Sequence, residues 1–162
     1  MVSKILVALD ESEGSVNALS LSAEIASQTS SELFILTVIP LISSVQLRQR
    51  GGVGLGAGMG MGLGAQNAAE RMNELEIEIE EKHKKILSDS DDFIKKHYPD
   101  VKVNSLVFKG HVAQTIIDIA DEKEVDMIVV GTGSKTGIKG IILGSVSKQV
   151  VDNSSKSVLI AK

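Results

Sequence analysis

Residues 125–149, VDMIVVGTGSKTGIKGIILGSVSKQ, decide how this chain folds. VDMIVVG is a short, branched, apolar run of the kind found in strands buried on both faces of a parallel sheet. Glycines at 131, 133, 137 and 140 then interrupt it, and LGSVSKQVVDNS (143–154) reads as a short helix opened by Gly144-Ser145. A glycine-rich turn leading from a strand into a helix exposes unpaired backbone N–H groups and the positive end of the helix dipole. Together these suit a phosphate.

Outward from that stretch, the same alternation of buried strand and amphipathic helix repeats. KSVLIA (156–161) closes the chain as a strand. On the other side, HVAQTIIDIADEKE (111–124) sets Val112, Ile116, Ile119 and Ala120 on one helical face, and VKVNSLVF (101–108) is patterned as a strand up to a break at Leu106 and Val107. KILVALD (4–10) and SELFILTVIP (31–40) are two more buried strands. Between them Val16, Leu19, Ala23 and Ala26 mark a helix face. From Ala68 one long helix carries Met72, Leu75, Ile79, Ile86 and Phe93 inward, with Glu78/Lys82, Glu80/Lys84 and Glu81/Lys85 as i,i+4 pairs outside. It ends near HYPD, because Pro99 disfavours helix at the residue before it.

The order β-α-β-α-β-α-β-α-β predicts an α/β fold: a three-layer α/β/α sandwich around a five-stranded, mainly parallel sheet, Rossmann-like in architecture. In such sheets ligands bind beyond the carboxyl ends of the strands, where the strand order reverses. The residues after Leu9, Val38 and Val130 are therefore the candidate site.

A length of 162 residues with 43% hydrophobic content fits a single domain over 1–162. One segment stands outside the pattern. The connection at about 41–67 is far longer than the usual two to six residues, and eight of the 15 glycines fall within 51–64. Ordering so much glycine costs backbone entropy, so this insertion is expected to be flexible. Arg48 and Arg50 stand at its base.

The formal charge of −4 and the pI of 5.4 provide no basic stripe for nucleic acid phosphates. With no Trp, one Tyr and three Phe there is no aromatic platform for unpaired bases either, so nucleic acid is not an expected partner. The absence of cysteine excludes disulfides and thiolate chemistry and fits a reducing compartment. MVSKILVALDES lacks the apolar core of an export signal, and no stretch reaches the roughly 20 apolar residues of a membrane span. A cytoplasmic location with no membrane span is expected. His83, His97 and His111 form no i,i+3 or i,i+4 metal pair, and no general base or nucleophile stands out, so no catalytic and no metal-ligating residue is assigned.

Two familiar phosphate motifs fail at 131–149. There is no G-x-x-x-x-G-K-[ST], and Gly131-x-Gly133 continues to Thr136 where a dinucleotide fingerprint needs glycine. What remains is Gly131, two residues, Ser134, nine residues, then Gly144-Ser145. This spacing resembles the ATP-binding branch of the universal stress protein family, whose motif is G-x-x-G, nine residues and G-[ST]. KILVALDES, LFILTVIP, VFKGHVAQTIIDIADEKEVDMIVVGT and LGSVSKQVVDNSSKSVLIAK resemble the family's other segments, so the likeness covers the chain outside the insertion. The departure is Ser134, which stands where the family has its second glycine.

The resemblance implies an adenine nucleotide alpha hydrolase-like fold and ATP as cofactor, accompanied by Mg²⁺ or Mn²⁺ held by phosphate oxygens and water. It puts adenine against Ala8, Leu9, Asp10 and Val38, with Val130 and Gly131 lining base and ribose. It puts the triphosphate among Gly133, Ser134, Gly144, Ser145, Val146 and Ser147, whose backbone amides do most of the binding, assisted by the Ser145 and Ser147 hydroxyls. Lys135 and Lys139 are candidates to neutralise phosphate charge. Asp10 is equally suited by type to capping a helix with Ser12. The function implied is a small regulatory module that binds ATP and pairs as a homodimer through strand 157–161, an apolar sheet edge. The alternatives are a nucleotide-free homodimeric interaction protein and a slow ATPase or nucleotidyl transferase.

Overall fold

Strand and helix alternate without exception along residues 1–41, 63–133 and 143–162, which the computed structural model describes. The elements are β1 (Lys4–Leu9), α1 (Glu13–Thr29), β2 (Glu32–Pro40), α2 (Leu63–His97), β3 (Val103–Gly110), α3 (Val112–Glu122), β4 (Met127–Gly131), α4 (Ser145–Asn153) and β5 (Ser157–Ala161). The central part of the glycine-rich insertion, with Arg48 and Arg50, lies outside the described residues.

The five strands form one sheet in the order β3-β2-β1-β4-β5. Every pair of neighbours is parallel. From β1 the chain steps outward to β2 and β3, then returns to the far side of β1 for β4 and β5. The order thus reverses between β1 and β4, whose ladder ends at Ala8 opposite Val130.

Side chains alternate across the strands and divide the core into two layers. Ile5, Val7, Leu9, Leu33, Ile35 and Val129 pack with Ala18, Leu19, Ala23 and Ala26 of α1 and Ile94 of α2. Leu6, Leu36, Val38, Ile128 and Val130 pack on the other face with Ile116, Ile119 and Ala120 of α3 and Val150 of α4. Each large side chain so buried contributes about 1.5–3 kcal/mol of transfer free energy. The expected three-layer α/β/α architecture is the one observed, and the sheet is wholly parallel.

Several local expectations are corrected. Val16 is 67% exposed. Leu19, Ala23 and Ala26 are buried as expected, joined by Ser15, Ala18 and Ser22; apart from Leu19 these are small residues that let the helix lie close to the sheet. Ser22 tolerates burial because its hydroxyl donates to the Ala18 carbonyl at 2.7 Å. Lys85 reaches forward to Asp89 at 2.7 Å and not back to Glu81, whereas the Glu78–Lys82 and Glu80–Lys84 pairs form as expected. The third strand starts two residues late because the Val101 N–H closes a turn on the Tyr98 carbonyl at 3.0 Å around Pro99. The long helix begins at Leu63, ahead of the apolar spacing that starts at Ala68.

Candidate functional site

At the carboxyl ends of β1 and β4, where the strand order reverses, a cavity of about 270 Å³ opens. Ala8, Leu9 and Asp10 reach it from the end of β1 and Val38 from β2. Val130, Gly131 and Gly133 come from β4 and the turn after it, and Gly144, Ser145, Val146 and Ser147 from the start of α4. The structure therefore brings together every site residue expected from sequence except Ser134. Ser134, with Lys135 and Lys139, lies outside the described residues.

Five further lining residues escape the sequence reading: Ser12, Ser15, Leu36, Val112 and Ile116. Leu36 had a signal, since it shares a face with Val38 two positions later. Ile116 had one too, one helical turn beyond Val112 at the start of α3. Ser12 and Ser15 enter because α1 leaves β1 after only a short turn.

The floor of the cavity is apolar, built from Leu36, Val38, Ile116 and Val130, which are all buried. A planar heterocycle fits such a slot. One rim is polar. The Asp10 carboxylate Oδ1 accepts the Ser12 N–H at 2.9 Å and the hydroxyls of Ser12 and Ser15 at 2.5 and 2.6 Å. Asp10 thus braces the turn into α1 through the Ser12 backbone and the two hydroxyls, which differs from the capping role open to it from sequence. No side-chain cap bond accompanies it at the N-cap Ser12, whose hydroxyl is turned to Asp10.

The opposite rim is the amino end of α4. Gly144 is its N-cap, extended at φ −61° and ψ 157°, and as a glycine it brings no side-chain acceptor to the helix. Helix geometry leaves the N–H groups of Ser145, Val146 and Ser147 without intrahelical acceptors, the kind of donor set that suits an anion. Two bonds fasten this end to β4: the Gly144 N–H to the Thr132 carbonyl and the Ser147 hydroxyl to the Gly131 carbonyl, each 2.7 Å long. Ser147 is buried, and its hydroxyl proton is committed to that carbonyl.

Glycine is needed at two points here. A Cβ on Gly131 would stand 2.5 Å from the carbonyl carbon of Gly14, so the first turn of α1 rests directly on the end of β4. Gly133 has φ +67°, the left-handed region that side chains disfavour. The two rims differ in electrostatic sign. Asp10 offers a negative acceptor for amino or hydroxyl donors, and α4 offers a positive helix terminus for an anion.

The described groups with shifted proton affinities sit elsewhere: Glu80 and Lys84 pair on the exposed face of α2, and Asp126 and Glu32 stand at the amino ends of the strands. Asp126 accepts the N–H groups of Ser3 and Lys4 and the Ser3 hydroxyl, which lower its pKa to about 2. Lys102 and Asn104 hold Glu32 below the usual carboxylate range. These contacts pin the far edge of the sheet and take no part in the cavity. Among the described residues no cluster of three or more His, Cys, Asp or Glu could hold a metal ion, and no helix is long and apolar enough to cross a membrane.

Comparison with known proteins places this geometry in context. The model of the universal stress protein family matches residues 1–162. Universal stress protein YxiE of Bacillus subtilis is 30% identical over the full length of both chains. Universal stress protein MJ0577 of Methanocaldococcus jannaschii is 41% identical over a stretch covering 43% of this chain and 44% of that protein, so the chain spans less than half of that relative at this similarity. The solved structure of MJ0577 superposes with a TM-score of 0.66 at 27% identity, covering 100% of this chain and 96% of that one. A universal stress protein from Archaeoglobus fulgidus, solved in complex with dAMP, matches in fold with a TM-score of 0.63 at 19% identity over 100% of each chain.

Proposed function

The chain belongs to the universal stress protein family, and from that premise we propose that its cavity binds an adenine nucleotide, ATP in the first place, within a cytoplasmic regulatory homodimer. The observation that carries the reading is the pairing of an apolar floor with a helix terminus opened by glycine at the reversal point of the sheet. The dAMP held by the A. fulgidus relative supports an adenine nucleotide as the ligand class.

In this reading adenine lies on Val38 and Val130, near Ala8 and Leu9. Asp10 accepts from the base or ribose, where its negative charge is an advantage. The phosphates lie against Gly133, Ser134, Gly144, Ser145 and Val146, at the amino end of α4, where the helix dipole favours negative charge. A divalent cation, Mg²⁺ or Mn²⁺, would be held by phosphate oxygens and water, since the described residues offer no acidic cage.

The homodimer reading is supported by β5, which pairs with β4 on one side and stands at the end of the sheet order. Val158 and Ile160 on it are only half-buried. Pairing this edge with its copy would satisfy its backbone groups and cover both side chains.

The reading is tested by denaturing the purified protein and identifying released nucleotide by chromatography and mass spectrometry. ATP or another adenine nucleotide is the expected product. A protein that releases none and takes up none from millimolar ATP would instead be a nucleotide-free interaction module.

A further inference from the structure

The family resemblance implies that the Ser147 hydroxyl assists the backbone amides in holding the triphosphate. Its surroundings indicate a different role. The side chain is 5% exposed, and its hydroxyl donates to the Gly131 carbonyl at 2.7 Å. A hydroxyl has one proton. Given to Gly131, that proton is not available to a phosphate oxygen, and the lone pairs that remain would repel an anion.

The acceptor is a rigid one. Gly131 pairs with Ala161 in the sheet, and the next residue, Thr132, donates its N–H to the Ala161 carbonyl at 3.1 Å. On its other side Gly131 lies so close to Gly14 that no Cβ fits between them. The bond from Ser147 therefore fixes the first turn of α4 to a point held by the sheet on one side and by α1 on the other. The Gly144 N–H bond to Thr132 fastens the same turn one step earlier. Both bonds hold α4 against the end of β4, and with it the N–H groups of Ser145 and Val146 at the cavity rim.

We propose that Ser147 is a positioning residue that sets the preference of this site for phosphorylated nucleotides over nucleosides, by holding the amino terminus of α4 against Gly131. The proposal rests on the nucleotide reading above and deepens it. The residue acts through α4 and not by touching phosphate with its hydroxyl. A preorganised set of donors binds more tightly than one that must first be ordered, and the gain falls on the ligand part that meets those donors.

The test compares wild type, Ser147→Ala and Ser147→Thr by calorimetric titration with ATP and with adenosine, each variant first checked by its melting curve. Ser147→Ala is expected to weaken ATP about 3- to 10-fold, the scale of one lost hydrogen bond, and to lower the ratio of ATP to adenosine affinity. Ser147→Thr, which keeps the hydroxyl, is expected to restore ATP affinity to within about twofold. In the unliganded Ser147→Ala protein, amide hydrogen exchange of the α4 backbone should be faster than in wild type, a readout that needs no nucleotide. Unchanged ATP affinity in Ser147→Ala, equal losses for ATP and adenosine, or unchanged exchange would each overturn the positioning role while the nucleotide reading stands. A wild type that binds neither ligand overturns the nucleotide reading and this selectivity with it.

Discussion

The hydroxyl of Ser15 accepts the backbone N–H of Asp10 at 2.8 Å and returns a hydrogen bond to the Asp10 carboxylate at 2.6 Å. This reciprocal pair closes a ring at the point where β1 hands over to α1. Losing it should loosen the turn and the cavity rim together. Asp10→Ala is expected to lower unfolding free energy by about 1–2 kcal/mol in urea titrations, the range of a lost helix-entry contact with a charged acceptor. ATP affinity should fall in the same variant. Asp10→Asn keeps an acceptor oxygen and should lose less stability.

Gly131 is where the sheet, α1 and α4 meet. Gly131→Ala puts a methyl 2.5 Å from the Gly14 carbonyl carbon and 2.7 Å from its oxygen, both main-chain atoms with no rotamer by which to yield. Overpacking of this kind costs about 1–3 kcal/mol. Urea unfolding should show a loss in that range, together with weaker ATP binding, because α1 must retreat from the cavity. A variant as stable as wild type would show that the contact relaxes freely.

Asp126 carries the acid sensitivity of the amino edge of the sheet. Its pKa is lowered from the ordinary 3.8 to about 2 by the Ser3 and Lys4 N–H groups and the Ser3 hydroxyl. A carboxylate depressed on folding stabilises the native state above its unfolded pKa, and that contribution is lost as pH falls through the folded value. The stability gap between wild type and Asp126→Asn should thus be flat above about pH 5 and shrink between about pH 4 and pH 2. Denaturant midpoints measured across that range check it.

The exposed edge of β5 makes the assembly testable by a single charge. Val158 lies opposite Ile128 in the β4–β5 ladder and is half-buried. If β5 pairs with its copy as proposed, Val158→Lys should leave the fold intact by circular dichroism and give a monomer by light scattering where wild type gives a dimer. An unchanged mass would rule out this edge as the interface.

Much of this molecule is legible in its sequence because buried parallel strands are nearly continuous apolar runs. KILVAL, LFILTV and MIVVG needed no partner to be recognised. What escapes is whatever depends on how closely two elements approach. Apolar spacing selects Val16, but α1 turns the small residues Ser15, Ala18 and Ser22 to the sheet beside Leu19. Lys85 pairs with Asp89 because side-chain rotamers, not spacing alone, choose between equivalent partners. In the site, glycines and serines after strand ends were visible as a motif, whereas Val112 and Ile116 belong to a helix that folds over from a distant part of the chain. Ser147 was visible as a residue, but its hydrogen bond to Gly131 was not, and that bond changes its role.

The central claim, that the cavity between β1 and β4 is a nucleotide site, is tested most directly by the melting temperature of the purified protein in increasing ATP with Mg²⁺. Binding to the native state alone stabilises it by mass action, so at ATP about tenfold above Kd the melting temperature should rise by roughly 3–6 °C and continue to climb with concentration. A melting temperature that stays constant up to millimolar ATP, in protein shown to carry no nucleotide of its own, would contradict the account.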